Sequence, residues 1–350
     1  MASADIHTSP QRVRETDASF TAAARIVRGT GSYPMERALA VVAQLGVLGG
    51  VLLGGIVLTA LLTLYVHKAA GAVVFLLLCL GVAFLLMPAI DRRLWAMRAA
   101  LTFLVTRQLL TGEAAPSERA AAAAQGFLRE RFGDLGPVAD AHNDVQRLVS
   151  KFFRSFDRLG EALPIDVEAL RKALAWLIDR IAPRIADLAL SFALARGAKD
   201  LTLASKDAVT YVAQNPKPLL GTAVRAYVME KLIGGTVGFI LMTLGFVVVG
   251  AIVRALTGDA VGASDIPAEG AAVVSAFAAV FAGLLIGAPL GALGSWFLRT
   301  ALLEPIGLTM LLIRFHHCIE GQPVNAALRA RIESVANDVG ESGGLLGFLD

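Results

Sequence analysis

The chain has 350 residues, 56% of them hydrophobic and 17% charged, with a formal net charge of +3. An ordinary soluble domain carries about 25% charged residues, and here the apolar excess is concentrated in four blocks that a water-soluble core does not require. The small, dispersed positive charge excludes a nucleic-acid partner. The two cysteines, Cys79 inside an apolar run and Cys318, suggest neither a disulfide framework nor a zinc site.

Residues 1–37 are polar and rich in Ser and Thr, which predicts a largely disordered tail with a short helix near Phe20–Arg28. Arg12, Arg14, Arg25, Arg28 and Arg37 lie in this tail, and the apolar run after it is far longer than a signal-peptide core. The first helix is therefore expected to act as an uncleaved anchor. That run, Ala38–Val66, contains no charge. A helix of about 20 residues crosses the ~30 Å hydrocarbon core, so this one spans with tilt. Ala69–Ile90, Leu232–Val253 and Ala271–Leu298 are three further spans. Only His67 and Lys68 separate the first two, which predicts a tight hairpin.

Orientation follows from the basic residues. With both termini on one face, only Lys68 and Arg254 of the 32 Lys and Arg fall on the other. This bias places the N-terminus, the 91–231 connection and the C-terminus in the cytoplasm of an inner (plasma) membrane. The second outer loop, about Thr257 to Gly270, holds Asp259, Asp265 and Glu269 and no basic residue.

Between Asp91 and Glu230 the pattern is helical throughout. Trp95–Leu110 is apolar but interrupted by Arg98 and Arg107, which are costly in mid-bilayer, so an interfacial helix is expected there. An alanine-rich helix runs to Phe132 and stops at Gly133, another runs from Asp140 to about Leu159, and the longest from Asp166 to Arg196. In the last, Ile178, Ile181, Ile185 and Leu188 form one buried stripe and Pro183 introduces a bend. A helix over Leu203–Gln214 ends at Asn215-Pro216.

Two pairs of strings repeat. Met35-Glu36-Arg37 opens the first span and Met229-Glu230-Lys231 the third. Leu101–Arg107 after the second span resembles Leu308–Arg314 after the fourth, and each is followed by a Gly with Glu or Gln, Gly112-Glu113 and Gly321-Gln322. A parallel internal repeat of span, turn, span and surface helix is the expectation.

Small residues at four-residue spacing let helix backbones approach closely in lipid. Such rows are Gly46, Gly50 and Gly54 in the first span and Gly283, Gly287 and Gly291 in the fourth, with Gly234 and Gly238 in the third. They are expected to pack helices within the chain or to join a second copy. Pro289 is expected to kink the fourth span. No Asp, Glu, Lys, Arg or His lies within any span, which argues against a proton-driven carrier.

The densest group of potential ligands is His316, His317, Cys318 and Glu320. Adjacent side chains on a helix diverge by about 100°, so only His316 and Glu320 share a face, and neither metal nor cofactor is expected. Glu304-Pro305 reads as a kink in a surface helix rather than a re-entrant hairpin. Glu304, His316, His317 and Glu320 form a weak polar cluster, and no nucleophile elbow or phosphate loop is found. His142, Asp140 and Asp144 are expected on a solvated helix face.

The expected fold is thus an all-α membrane protein with four transmembrane helices as two hairpins, an inserted cytosolic helical domain and interfacial helices. Its parts are a tail over 1–37, a hairpin with interfacial helix over 38–110, a cytosolic domain over 111–228, a second hairpin with interfacial helix over 229–322, and a C-terminal helix and tail over 323–350. The expected function is non-enzymatic scaffolding or regulation of a cytosolic partner. An oligomeric pore or carrier for a small solute or lipid, and a membrane-surface enzyme, are the alternatives. The expected partners are the lipid bilayer, a second copy through the glycine rows and a cytosolic protein.

Overall fold

A computed structural model describes residues 16–65, 68–113, 118–133, 135–155, 167–198, 201–262 and 268–343. Among them every regular element is helical, as expected: α1 (Phe20–Gly29), α2 (Tyr33–Tyr65), α3 (Lys68–Gly81), a π turn (Val82–Leu86), α4 (Met87–Thr111), α5 (Ala120–Phe132), α6 (Leu135–Ser155), α7 (Val167–Ala195), α8 (Leu201–Gln214), α9 (Pro216–Gly262), α10 (Ala268–Leu298), a second π turn (Arg299–Leu303), α11 (Glu304–Ile319) and α12 (Ala326–Gly343). Among the described residues four helices are long and apolar enough to cross a membrane, Tyr33–Tyr65, Ala69–Thr111, Pro216–Leu256 and Ser275–Ile319. The second and third expected spans fall within them, and the first and fourth overlap them over 38–65 and 275–298. Of the expected turn at His67-Lys68, Lys68 already opens α3, while His67, the tip of the outer loop and the ends of both tails lie outside the described residues.

The short helix expected near Phe20–Arg28 is α1. Ser19 caps α1, its hydroxyl accepting from the Ala22 N–H at 3.3 Å, and Ala23 and Val27 are buried. After a turn at Thr30 and Gly31, α2 starts at Tyr33, ahead of the apolar run.

The chain divides into two compact units, Met1–Ala226 with Pro305–Asp350, and Tyr227–Glu304. The first unit is composite, and the segments after the second and fourth spans both belong to it. Three helical stretches in its core are buried nearly all round: Ala99–Thr106 of α4, Ile181–Leu194 of α7 and Gly307–Ile313 of α11. This corrects the two interfacial helices. A helix that is apolar on every side suits a protein core, whereas an interfacial helix keeps one face wet. It also corrects the single stripe expected on α7, since Ile181, Ile185 and Leu188 are buried and so are most residues between them.

Neither of these core segments begins with a break. Helix continues from Lys68 to Thr111 and from Ala268 to Ile319, which removes a re-entrant hairpin at 300–313. Each passage goes through a π turn that ends two residues before a proline. Proline has no N–H to donate, and the residue before it bonds five residues back: the Met87 N–H to the Val82 carbonyl and the Glu304 N–H to the Arg299 carbonyl. Both core segments are followed by a glycine with positive φ, Gly112 at 71° and Gly321 at 69°. Glycine takes that conformation without the penalty a side chain brings.

In the second unit, α9 and α10 approach backbone to backbone. A methyl carbon added at Gly287 would lie 2.7 Å from the Met242 carbonyl oxygen, one at Gly283 2.9 Å from the Phe246 carbonyl, and one at Gly238 2.9 Å from the Gly291 carbonyl. Gly245 meets the Gly287 Cα at 3.0 Å. These pairs run in opposite directions along the two helices. At one end, buried Glu230 lies 3.9 Å from the Arg299 guanidinium.

Overpacking of a tight contact typically costs about 1–3 kcal/mol, whereas alanine in an open helical position gains up to about 1 kcal/mol over glycine. Gly287→Ala is therefore expected to lower the melting temperature of the protein in nanodiscs, and Gly50→Ala, where nothing lies within 4 Å, to leave it unchanged or raise it.

Candidate functional site

The first unit holds a seam of polar groups where α4, α6, α7 and α11 meet. Arg98, Thr102 and Thr106 follow one another at four-residue spacing on α4, and Arg184, Asp187 and Ser191 at three- and four-residue spacing on α7. Each set forms one ridge. The ridges meet at Arg98 Nε and Asp187 Oδ2, 4.0 Å apart, and at Thr106 Oγ1 and Ser191 Oγ, 2.7 Å apart. Two histidines complete the seam. His142 of α6 places Nδ1 3.6 Å from Asp187 Oδ1, and His316 of α11 places Nε2 2.8 Å from Ser191 Oγ. Asp187, Ser191 and Thr106 are each at most 1% exposed.

Proton positions along one branch follow from counting donors. The Thr106 hydroxyl donates to the Thr102 carbonyl oxygen at 2.6 Å, so its single proton is committed. Ser191 must then donate to Thr106, and His316 must donate from Nε2 to Ser191. The chain therefore runs one way, from imidazole to backbone carbonyl. In this arrangement His316 acts as a donor to Ser191, the reverse of what a general base activating a nucleophile does.

The other branch is ionic. Burial and the nearby Arg98 guanidinium bring the His142 pKa down to about 4, so the imidazole is neutral at pH 7. Trp95 packs edge-on against His142, with ring centroids 5.9 Å apart. A small pocket of about 210 Å³, mouth included, lies beside these rings and is also lined by Val145, Leu190, Leu201 and Ser205.

The structure places the sequence-derived candidates as follows. His316 is buried in the seam, whereas His317 and Glu320 are half-buried near the end of α11. Glu304 opens α11, twelve residues or about 18 Å of helix from His316, so the four do not converge. Among the described residues no group of three or more His, Cys, Asp or Glu could hold a metal. Gly238, Gly283, Gly287 and Gly291 lie in tight contacts, Gly234 in an ordinary one 3.5 Å from Ser295, and Gly46, Gly50 and Gly54 face open space. Pro289 sits inside α10 without ending it. His142 is 6% exposed, which corrects its expected place on a solvated face. Arg98, Asp187 and Ser191 went unnoticed as site residues in the sequence because each stands singly among alanines and leucines. The signal was the four-residue spacing of Arg98, Thr102 and Thr106.

Comparison with known proteins finds no matching family, no matching curated protein and no matching solved structure.

Removing Ser191 leaves two buried partners unsatisfied, at about 1–3 kcal/mol. Ser191→Ala is expected to lower the melting temperature, and Asp187→Leu, which removes the carboxylate facing the half-buried Arg98 guanidinium, to lower it further. His142 adds a pH dependence. Between pH 6.5 and about 4 the unfolded chain takes up a proton that the folded chain does not. Stability supplied by His142 is thus complete above pH 6.5 and falls on acidification, by up to about 3 kcal/mol. Melting curves from pH 7 to 4 are expected to slope less steeply for His142→Phe than for the wild type.

Proposed function

We propose that this chain is a four-pass protein of the inner membrane with both ends in the cytoplasm, whose composite helical unit serves as a scaffold or regulator for a cytosolic protein. The observation that carries this reading is a division of labour. The four expected spans hold no Asp, Glu, Lys, Arg or His and turn large apolar side chains outward, Leu64, Leu85, Phe239 and Phe277 among them, each at least 64% exposed. Arg98, His142 and Asp187 instead meet in the core of the first unit, where they fix helices to one another. Positively charged residues concentrated on one side of the spans support the orientation.

The matching π turns, the terminal glycines and a shared opening support an internal duplication of membrane hairpins. In that opening, Arg37 Nη1 donates to the Tyr33 hydroxyl at 2.8 Å, and Lys231 Nζ lies 5.6 Å from the Tyr227 ring centre.

Photo-crosslinking residues placed at exposed positions of α5 and α12, such as Arg129 and Arg331, test the scaffold role in the full-length protein in cells. A discrete adduct with a cytosolic protein is expected, and its absence from all positions on both helices counts against the reading. Cysteines at Asp140 and Asp259 test the topology: the first is expected to react only from the cytoplasmic side and the second only from outside.

A second reading, an oligomeric pore or carrier, is favoured by the open row of Gly46, Gly50 and Gly54, a surface suited to a second copy. Under it Gly50→Cys forms disulfide dimers in membranes and proteoliposomes pass small solutes.

A further inference from the structure

Gln44 is 4% exposed, and neither its amide nitrogen nor its amide oxygen has a hydrogen-bond partner. An amide buried in that state costs about 1–3 kcal/mol, more where lipid rather than water surrounds the helices. What faces it can be read from its position on α2. At 100° per residue, Tyr33, Arg37, Gln44 and Gly55 fall within about 40° of one another. Two of them touch the helix running from Lys68 to Thr111: the Tyr33 hydroxyl donates to the Met97 carbonyl at 3.0 Å, and Gly55 abuts the Leu78 side chain. Gln44 lies midway between Tyr33 and Gly55, and the midpoint between Met97 and Leu78 is Met87-Pro88.

That is where the backbone ladder of the facing helix is broken. The carbonyl of Ala83 would ordinarily accept from Met87, whose N–H goes instead to Val82. The carbonyl of Phe84 would accept from residue 88, which is proline. A side chain with two donors and an acceptor thus stands level with two carbonyls that have lost their usual donors, with no direct hydrogen bond from the side chain. The repeat alignment sharpens the contrast. The register that sets Met35 on Met229 sets Gln44 on Gly238, where the second unit closes the gap by direct backbone contact with Gly291.

We propose that Gln44 and the π turn at Val82–Leu86 form a hydrated polar site between α2 and the following helix, in which bound water bridges the amide to the carbonyls of Ala83 and Phe84. Water fits because it accepts from the amide and donates to a carbonyl at once, at little entropic cost. The site stands whatever partner the helical unit engages.

The test uses the full chain in lipid nanodiscs. Gln44→Leu keeps the side-chain size and removes the amide, and Pro88→Ala restores a donor for Phe84 without touching Gln44. Because a satisfied amide stabilises and an orphaned one does not, Gln44→Leu is expected to lower the melting temperature by about 4 °C or more; a rise or no change overturns the proposal. X-ray hydroxyl-radical footprinting reads the water itself. Oxidation of Met87 is expected to fall at least about threefold in both variants relative to the wild type. An unchanged rate in Pro88→Ala overturns the proposal even where Gln44→Leu fails to fold.

Discussion

A carboxylate cannot sit among apolar side chains unless something holds it, and Asp187 at 1% exposure is the point from which the first unit is arranged. Taking such a group out of water costs several kcal/mol, and the surrounding helices supply the remedy from different directions. Arg98 comes from α4 and His142 from α6, and one turn further Ser191 recruits Thr106 and His316 from α4 and α11. Apolar packing alone would let these helices slide or rotate against one another. Polar partners permit one register, because any other leaves charges stranded in the core.

This division explains what could be read in the sequence and what could not. Helix existence was legible nearly everywhere, because the glycine and proline punctuation is strong: α5 ends at Gly133 and α8 ends before Pro216, as expected. The spans were legible because an uncharged run of that length has few other uses. The fate of Trp95–Leu110 was not. An apolar segment with an arginine near each end satisfies a membrane surface and a protein core equally well. What decides between them is a partner for Arg98 that lies on α7, far along the chain. His142 was misplaced for the same reason, since its burial depends on Asp187, a residue its local surroundings do not reveal.

The glycine rows show the matching limit for packing. Four-residue spacing identifies a groove and is silent on whether anything enters it. Gly283, Gly287 and Gly291 receive the backbone of α9, with Gly245, which the spacing rule did not mark, as a further contact. Gly46, Gly50 and Gly54 have the same spacing and no neighbour. Backbone approach needs a complementary small residue on the opposite helix, and that is a property of the pair. Gly238 against Gly291 and Gly245 against Gly287 meet it.

The two π turns bear on how the helices around them can respond to force. Each holds one residue more than the α-helical path needs, and the surplus is stabilised by the proline beyond it. A surplus residue of this kind can migrate along a helix by exchanging hydrogen bonds one at a time, turning the segment it passes by about 100° while the helix stays intact. At both places the proline stands on the core side and blocks that migration. Slack can therefore travel only toward the apolar run, so the seam of Arg98, Thr106 and His316 keeps its register.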